Sequence, residues 1–301
     1  MKKIITSGLI CMLVCLLTIG VALCAPSEAN WMIKLGATNV IDLSYPLYKN
    51  NEGMSMSDIY VPLDIRDEVT LGSKTIPFPA TVDDNGYPVN GFYAREIYGM
   101  LEGNGTHVEA SSHGFGELGR NIDDYPLSRF IGPAVVINIE AKAVKNPDYE
   151  ITVEDLRVWE KKYGKIPNGA CVILFSGRGK YWGDKETYFG MDVEGKAHYP
   201  GFSIEAAKFL VKDRHISMIA TDCPTPDSAL QKRTTIKTTE RGAFGSAPVR
   251  DIVQRPPNDV IIIEYLANVE KLPESGVLII AAPINFVDGA QGTARILAVL
   301  P

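Results

Sequence analysis

Histidine is scarce in this 301-residue chain: there are four. Cysteine is scarcer than its count of five suggests, because Cys11, Cys15 and Cys24 all fall in the first 24 residues. That leaves Cys171 and Cys223, enough for one disulfide in an exported protein or for two small buried hydrophobes. Both lie in β-like runs, ACVILFSG and SMIATDC. Basic charge is also short, with a formal net charge of -6 and no basic patch or stripe, which excludes an ordinary nucleic-acid binder. There is no internal repeat, low-complexity linker or break in composition after residue 30, so residues 30–301 read as one domain. Charge is missing altogether from Ile4 to Cys24, which follow a basic Met1-Lys2-Lys3 start. With small residues after it, this run reads as a secretory signal peptide over residues 1–29, cleaved after Cys24 or Ala29. A single membrane anchor is the alternative.

What is present is a strand-rich pattern, 46% hydrophobic and 22% charged. VIDLSYPLY, PAVVINIEA, ACVILFSG, ISMIATD, DVIIIEYL, GVLIIAAPINF and ARILAVLP read as strands. The polar, Gly/Pro-rich region up to about Asn90 holds a turn cluster, DDNGYPVNG. TVEDLRVWEKKYGKIPNG is a helix capped by Thr152 and stopped by Gly164 and Pro167, and SIEAAKFLVKD is a second helix capped by Ser203. Strands alternating with isolated helices predict an α/β fold, with a mixed sheet, partial barrel-like closure and a few flanking helices.

Two familiar patterns carry little. GFGELG (Gly114–Gly119) matches G-x-G-x-x-G, but RNIDDYP follows where a phosphate-binding helix should run. GFSIE lacks the second glycine of a nucleophile elbow, and Ser203 is better used as a cap. The stretch GNGTHVEASSHG (Gly103–Gly114) is richer. If it is extended, His107, Glu109, Ser111 and His113 share a face. Imidazole and carboxylate two residues apart can ligate one divalent ion, with His113 as a general base on bound water. A solvated polar strand face would give the same pattern. Asn104-Gly105-Thr106 also matches a glycosylation sequon, although a turn into the strand explains it better.

GTHVEASSH resembles H-x-G-T-H-x-D-x-P-x-H, the signature of the cyclase family of metal-dependent hydrolases (the kynurenine formamidase and isatin hydrolase type). The resemblance extends through IDLSYPL, PLSRFIGPAVVINI, ACVILFSGRGKYW, YPGFSIEAAKFLVKDRHISMIATDCPTPD and IIIEYLANVEKLP, in the family's order. It implies the family's swivelling β/α/β fold. It also implies one divalent metal, zinc or manganese, held by His107, Glu109 and Glu264, with His113 in the catalytic place. The first signature histidine falls on Gly103 and a later one on Ile252, so two imidazole ligands are gone. Asp222 and Asp251 are candidate replacements. The function expected is an exported hydrolase acting on a C–N or C–O bond of a small amide, cyclic imide or lactone. Tyr181 and Trp182, with aromatics near Tyr93 and Tyr98, would wall the substrate pocket. The alternative is a non-catalytic secreted binding protein that keeps the fold and has lost the metal. The family resemblance further implies a homo-oligomer.

Overall fold

The computed structural model describes the backbone of residues 39–45, 72–77, 81–82, 88–89, 93–98, 101–234 and 247–301. Side chains are described for residues 39–45, 101–231 and 247–301. The predicted signal segment therefore lies outside the described residues. So do the side chains of Tyr93 and Tyr98. The unit Ile41–Pro301 is compact. Among the described residues no helix is long and apolar enough to cross a membrane.

Among the described residues the main sheet has eight strands: β1 (Val40–Asp42), β2 (His107–Glu109), β3 (Ile131–Asn138), β4 (Cys171–Phe175), β5 (Met218–Thr221), β6 (Ile261–Glu264), β7 (Val277–Pro283) and β8 (Gln291–Val299). Their order is β1-β8-β7-β3-β4-β5-β6-β2, and β2 also pairs with β8. Seven strands thus close into a mixed barrel, fuller than the partial closure expected. The strands β3, β4, β5 and β6 run parallel. The antiparallel pairs β6–β2, β2–β8, β8–β7 and β7–β3 complete the ring.

Two cores follow from the two-residue period of the strands. Val108, Val136, Ile173, Ala220, Ile263, Ile279 and Ile296 belong to one apolar cluster that contains no residue of the longer helices, the filling of the barrel. The alternate residues Val135, Val172, Ile219 and Ile262 pack instead against helix side chains. The longest helices among the described residues are α1 (Val153–Tyr163), α2 (Ile204–Arg214) and α3 (Pro248–Gln254). Leu156, Phe209, Leu210, Val249 and Val253 supply their inward faces. Both predicted caps form. Thr152 accepts from the Asp155 N–H within a capping box, and Ser203 accepts from the Ala206 N–H.

Cys171 and Cys223 are unpaired, buried thiols. Cys171 belongs to the barrel filling and Cys223 to the helix-side cluster, so they serve as the two small hydrophobes. Burial pushes the Cys223 thiol up to about 12. GFGELG spans the end of a four-residue helical turn, Ser112–Phe115, and the 3-10 turn Gly116–Leu118, with no helix after it to hold a pyrophosphate. Lys185–Phe189, expected as loop, forms a short helix capped by Asp184. Glu140–Lys145 is likewise helical, where the strand was expected to run on to Ala141. The turn-rich region before Asn90 contains an antiparallel pair, Thr81–Val82 with Pro88–Val89.

Candidate metal centre

The site is built on the outer wall of the barrel, where β2 meets β6. Val108 points into the barrel, so His107 and Glu109 point out, beneath α3. Antiparallel register sets Glu264 opposite His107 and Gln291 opposite Glu109. His107, Glu109 and Glu264 are buried at 2%, 0% and 1% exposure, so no solvated face explains them. One donor atom from each lies within 4.8 Å of the others.

The turn before β2 fixes the imidazole. Gly105 adopts a left-handed φ of 67°, a conformation suited to glycine. Its carbonyl lies 3.0 Å from His107 Nδ1. A carbonyl only accepts, so Nδ1 carries the proton and Nε2 presents its lone pair. Burial lowers the His107 pKa to about 4, against the opposing pull of the Gly105 carbonyl and the Glu109 charge, so the ring is neutral near pH 7. Nε2 faces Glu264 Oε2 at 3.4 Å. An acceptor facing an acceptor at that distance matches the edge of a tetrahedral ligand set, about 3.3–3.5 Å for bonds of about 2.0–2.2 Å. The donor set therefore fits one divalent cation. Two buried carboxylates within 4.8 Å of each other also call for positive charge, since their mutual repulsion is about 3–4 kcal/mol at an effective dielectric of about 20.

Part of that charge comes from Arg250 on α3. Its Nε lies 2.7 Å from Glu109 Oε1 and its Nη2 3.5 Å from Glu264 Oε1. Nη2 also donates to Glu109 Oε2 at 3.1 Å. The place expected for a late histidine was Ile252, but Ile252 packs against the helix-side core. The residue of α3 that reaches the carboxylates is Arg250, two positions earlier. Gln291 is the second addition. Its amide nitrogen lies 3.2 Å from His107 Nε2 and 3.4 Å from Glu109 Oε2. A Cβ built on Gly103 would stand 2.6 Å from Gln291 Oε1 and 3.0 Å from Nε2. The place of the first signature histidine is thus filled by an amide from β8.

Three expectations are corrected. The run through His113 is not extended: β2 ends at Glu109, and His113 sits on the helical turn Ser112–Phe115. Ser111 is drawn away from the site by Asp259, 2.9 Å from its hydroxyl, and by the Tyr125 hydroxyl at 3.2 Å. His113 nevertheless stays close, with Nε2 4.0 Å from Glu109 Oε2 and its side chain 31% exposed. Asp222 is no replacement ligand. Its carboxylate accepts from the Ser176, Gly177 and Arg178 N–H groups and anchors the turn after β4. Asp251 is exposed on α3, outside the cluster.

Trp182 and Tyr181 separate. Trp182 stacks on Tyr45 at 3.9 Å and meets Tyr188 and Tyr265 edge-on. Tyr265 follows Glu264 with a left-handed φ of 58° and sets its ring 6.0 Å from His107. Trp182 therefore belongs to an aromatic group beside the cluster. Tyr181 instead lines a surface cavity of about 710 Å³ with Arg178 and His198. Asn104 is 4% exposed, so the folded sequon presents no accessible asparagine. Arg250, Gln254 and Gln291 carried no legible signal. An Arg and a Gln four apart on an apolar helix resemble a solvated face.

Isatin hydrolase of Roseibium aggregatum is 26% identical over 215 residues, which cover 70% of this chain and 76% of that protein. Isatin hydrolase A of Labrenzia aggregata, solved with benzyl benzoate bound, has a TM-score of 0.68 at 26% identity, over 91% of this chain and 99% of its own. Isatin hydrolase A of Ralstonia solanacearum shares the fold with a TM-score of 0.71 at 24% identity, over 92% and 99%. The model of the cyclase family matches residues 41–228. With that match over more than half its length, the chain belongs to the cyclase family.

Proposed function

We propose that the protein is a metal-dependent hydrolase that opens a C–N or C–O bond of a small amide, cyclic imide or lactone. The observation that carries this reading is the buried pairing of His107 Nε2 with Glu264 Oε2 at 3.4 Å, acceptor to acceptor, beside Glu109. His107, Glu109 and Glu264 would hold one divalent cation, zinc or manganese. When bound, such an ion polarises a carbonyl and lowers the pKa of water.

The chain's own groups supply the rest. The Gly105 carbonyl fixes the His107 tautomer, and burial keeps the ring neutral. Arg250 orients the Glu109 carboxylate through two of its nitrogens. His113 Nε2, near Glu109 and partly exposed, would take a proton from water attacking the carbonyl. It would return that proton to the leaving nitrogen or oxygen as the bond breaks, yielding a carboxylate and an amine from an amide, an amide from an imide, or an alcohol from a lactone. Trp182 would form one wall for a flat ring substrate, on the support of the aromatic group beside His107. The similarity to isatin hydrolases makes a fused cyclic amide such as isatin the first compound to try. Export rests on the basic start and the apolar run of the leading segment.

The rival reading, a metal-free binding protein, is favoured by one observation: the Arg250 guanidinium already sits on both carboxylates. Metal analysis of the purified chain separates the two readings. About one equivalent of Mn²⁺ or Zn²⁺, lost in His107→Ala together with ring-opening of isatin, supports the hydrolase. No metal after incubation with either ion refutes it.

A further inference from the structure

We propose that Arg250 is a built-in cation: it holds the place of a second positive ion in the cluster, restricts it to one divalent metal and lowers its affinity for that metal. The inference rests on the metal reading above.

The helix that carries Arg250 is held at both ends. Pro248 opens α3, and the buried Asp227 carboxylate accepts from the Val249 N–H at 2.8 Å and the Arg250 N–H at 3.4 Å. One turn later, Gln254 Nε2 donates to the Ala110 carbonyl at 3.1 Å and ties the helix to the end of β2. Between these ties the Arg250 side chain, in a residue 8% exposed, lies on Glu109 and reaches Glu264. It is a component of the wall and no passing surface residue.

The charges then decide the occupancy. Two carboxylates and one guanidinium leave the cluster at -1, with His107 neutral. One divalent ion takes it to +1. A second would take a buried site to +3, with Glu109 Oε1 already committed to Arg250 Nε. The other opening is closed too, because the Gln291 amide occupies the space in front of Gly103. Both changes remove room for metal and leave His107, Glu109 and Glu264 converged.

The test is a Mn²⁺ titration of the full chain by calorimetry, with stoichiometry checked by elemental analysis. Wild type should take one equivalent, and two would overturn the proposal whatever the variants do. Arg250→Gln, which removes the charge, should bind Mn²⁺ at least tenfold tighter. Arg250→Lys, which keeps it, should stay within about threefold of wild type. If Arg250 only props Glu109, both variants bind more weakly, and the proposal falls. If wild type takes no Mn²⁺ and Arg250→Gln does, Arg250 fills the whole site, so the one-metal count proposed here and the hydrolase reading fall together. If neither binds, both fall.

Discussion

A methyl group at Gly103 probes how the site was rebuilt. In Gly103→Ala the new Cβ would lie 2.6–3.0 Å from the Gln291 amide, too close for that side chain to stay. Gln291 would swing away and lose its contacts to His107 Nε2 at 3.2 Å and Glu109 Oε2 at 3.4 Å. A neutral hydrogen bond contributes about 0.5–1.5 kcal/mol, and a long one to a carboxylate about the same, so the loss is about 2 kcal/mol. Gly→Ala returns about 0.4–1 kcal/mol by restricting the unfolded chain. The net cost is about 1–1.5 kcal/mol. In a Gln291→Ala background the methyl meets no amide, so Gly103→Ala should be neutral or slightly stabilising. Urea unfolding of wild type, both single variants and the double variant gives the coupling directly, provided the slope is constant. A coupling of about 2 kcal/mol is expected. Additivity within about 0.5 kcal/mol would show that Gln291 does not fill the space at Gly103.

His107 predicts a pH dependence. Its folded pKa of about 4 lies below the unfolded value of 6.5, so the unfolded state binds the proton more readily. Stability of the metal-free chain should fall as pH drops below 6.5, by about 2 kcal/mol between pH 7.5 and 5, levelling off near 4. His107→Asn should flatten that slope by the same amount, and parallel wild-type and variant curves would contradict the assignment. Ser203→Ala should cost about 1 kcal/mol through the lost helix cap, read from the urea midpoint. Native iodoacetamide labelling followed by peptide mapping should leave Cys171 and Cys223 unmodified at pH 8, with both reacting after unfolding. Labelling in the native chain would mean that either thiol is accessible.

Most of the barrel was readable from the chain because its strands are short apolar runs bounded by turns, and such runs have one economical use. The ring closure was less so, since β2 is only His107–Glu109 and reads as part of a polar stretch. Glu264 entered through family resemblance alone: no spacing rule links it to His107 across the chain. The fate of His113 turned on Ser111, whose capture by Asp259 and Tyr125 ends the strand. Arg250 and Gln291 were invisible because their importance lies in what they touch. A helix face of Arg250 and Gln254 becomes informative only once a buried carboxylate is found beneath it.

The strand that carries His107 and Glu109 is also the last stave of the barrel, joined to β6 on one side and β8 on the other. An ion gripping His107 and Glu109 on one stave and Glu264 on the next would act as a rivet across that seam. Occupancy and closure would then be one mechanical event. The backbone amides of Val108 and Ala110 would report it, exchanging with solvent slowly in the loaded chain and faster once the rivet is drawn.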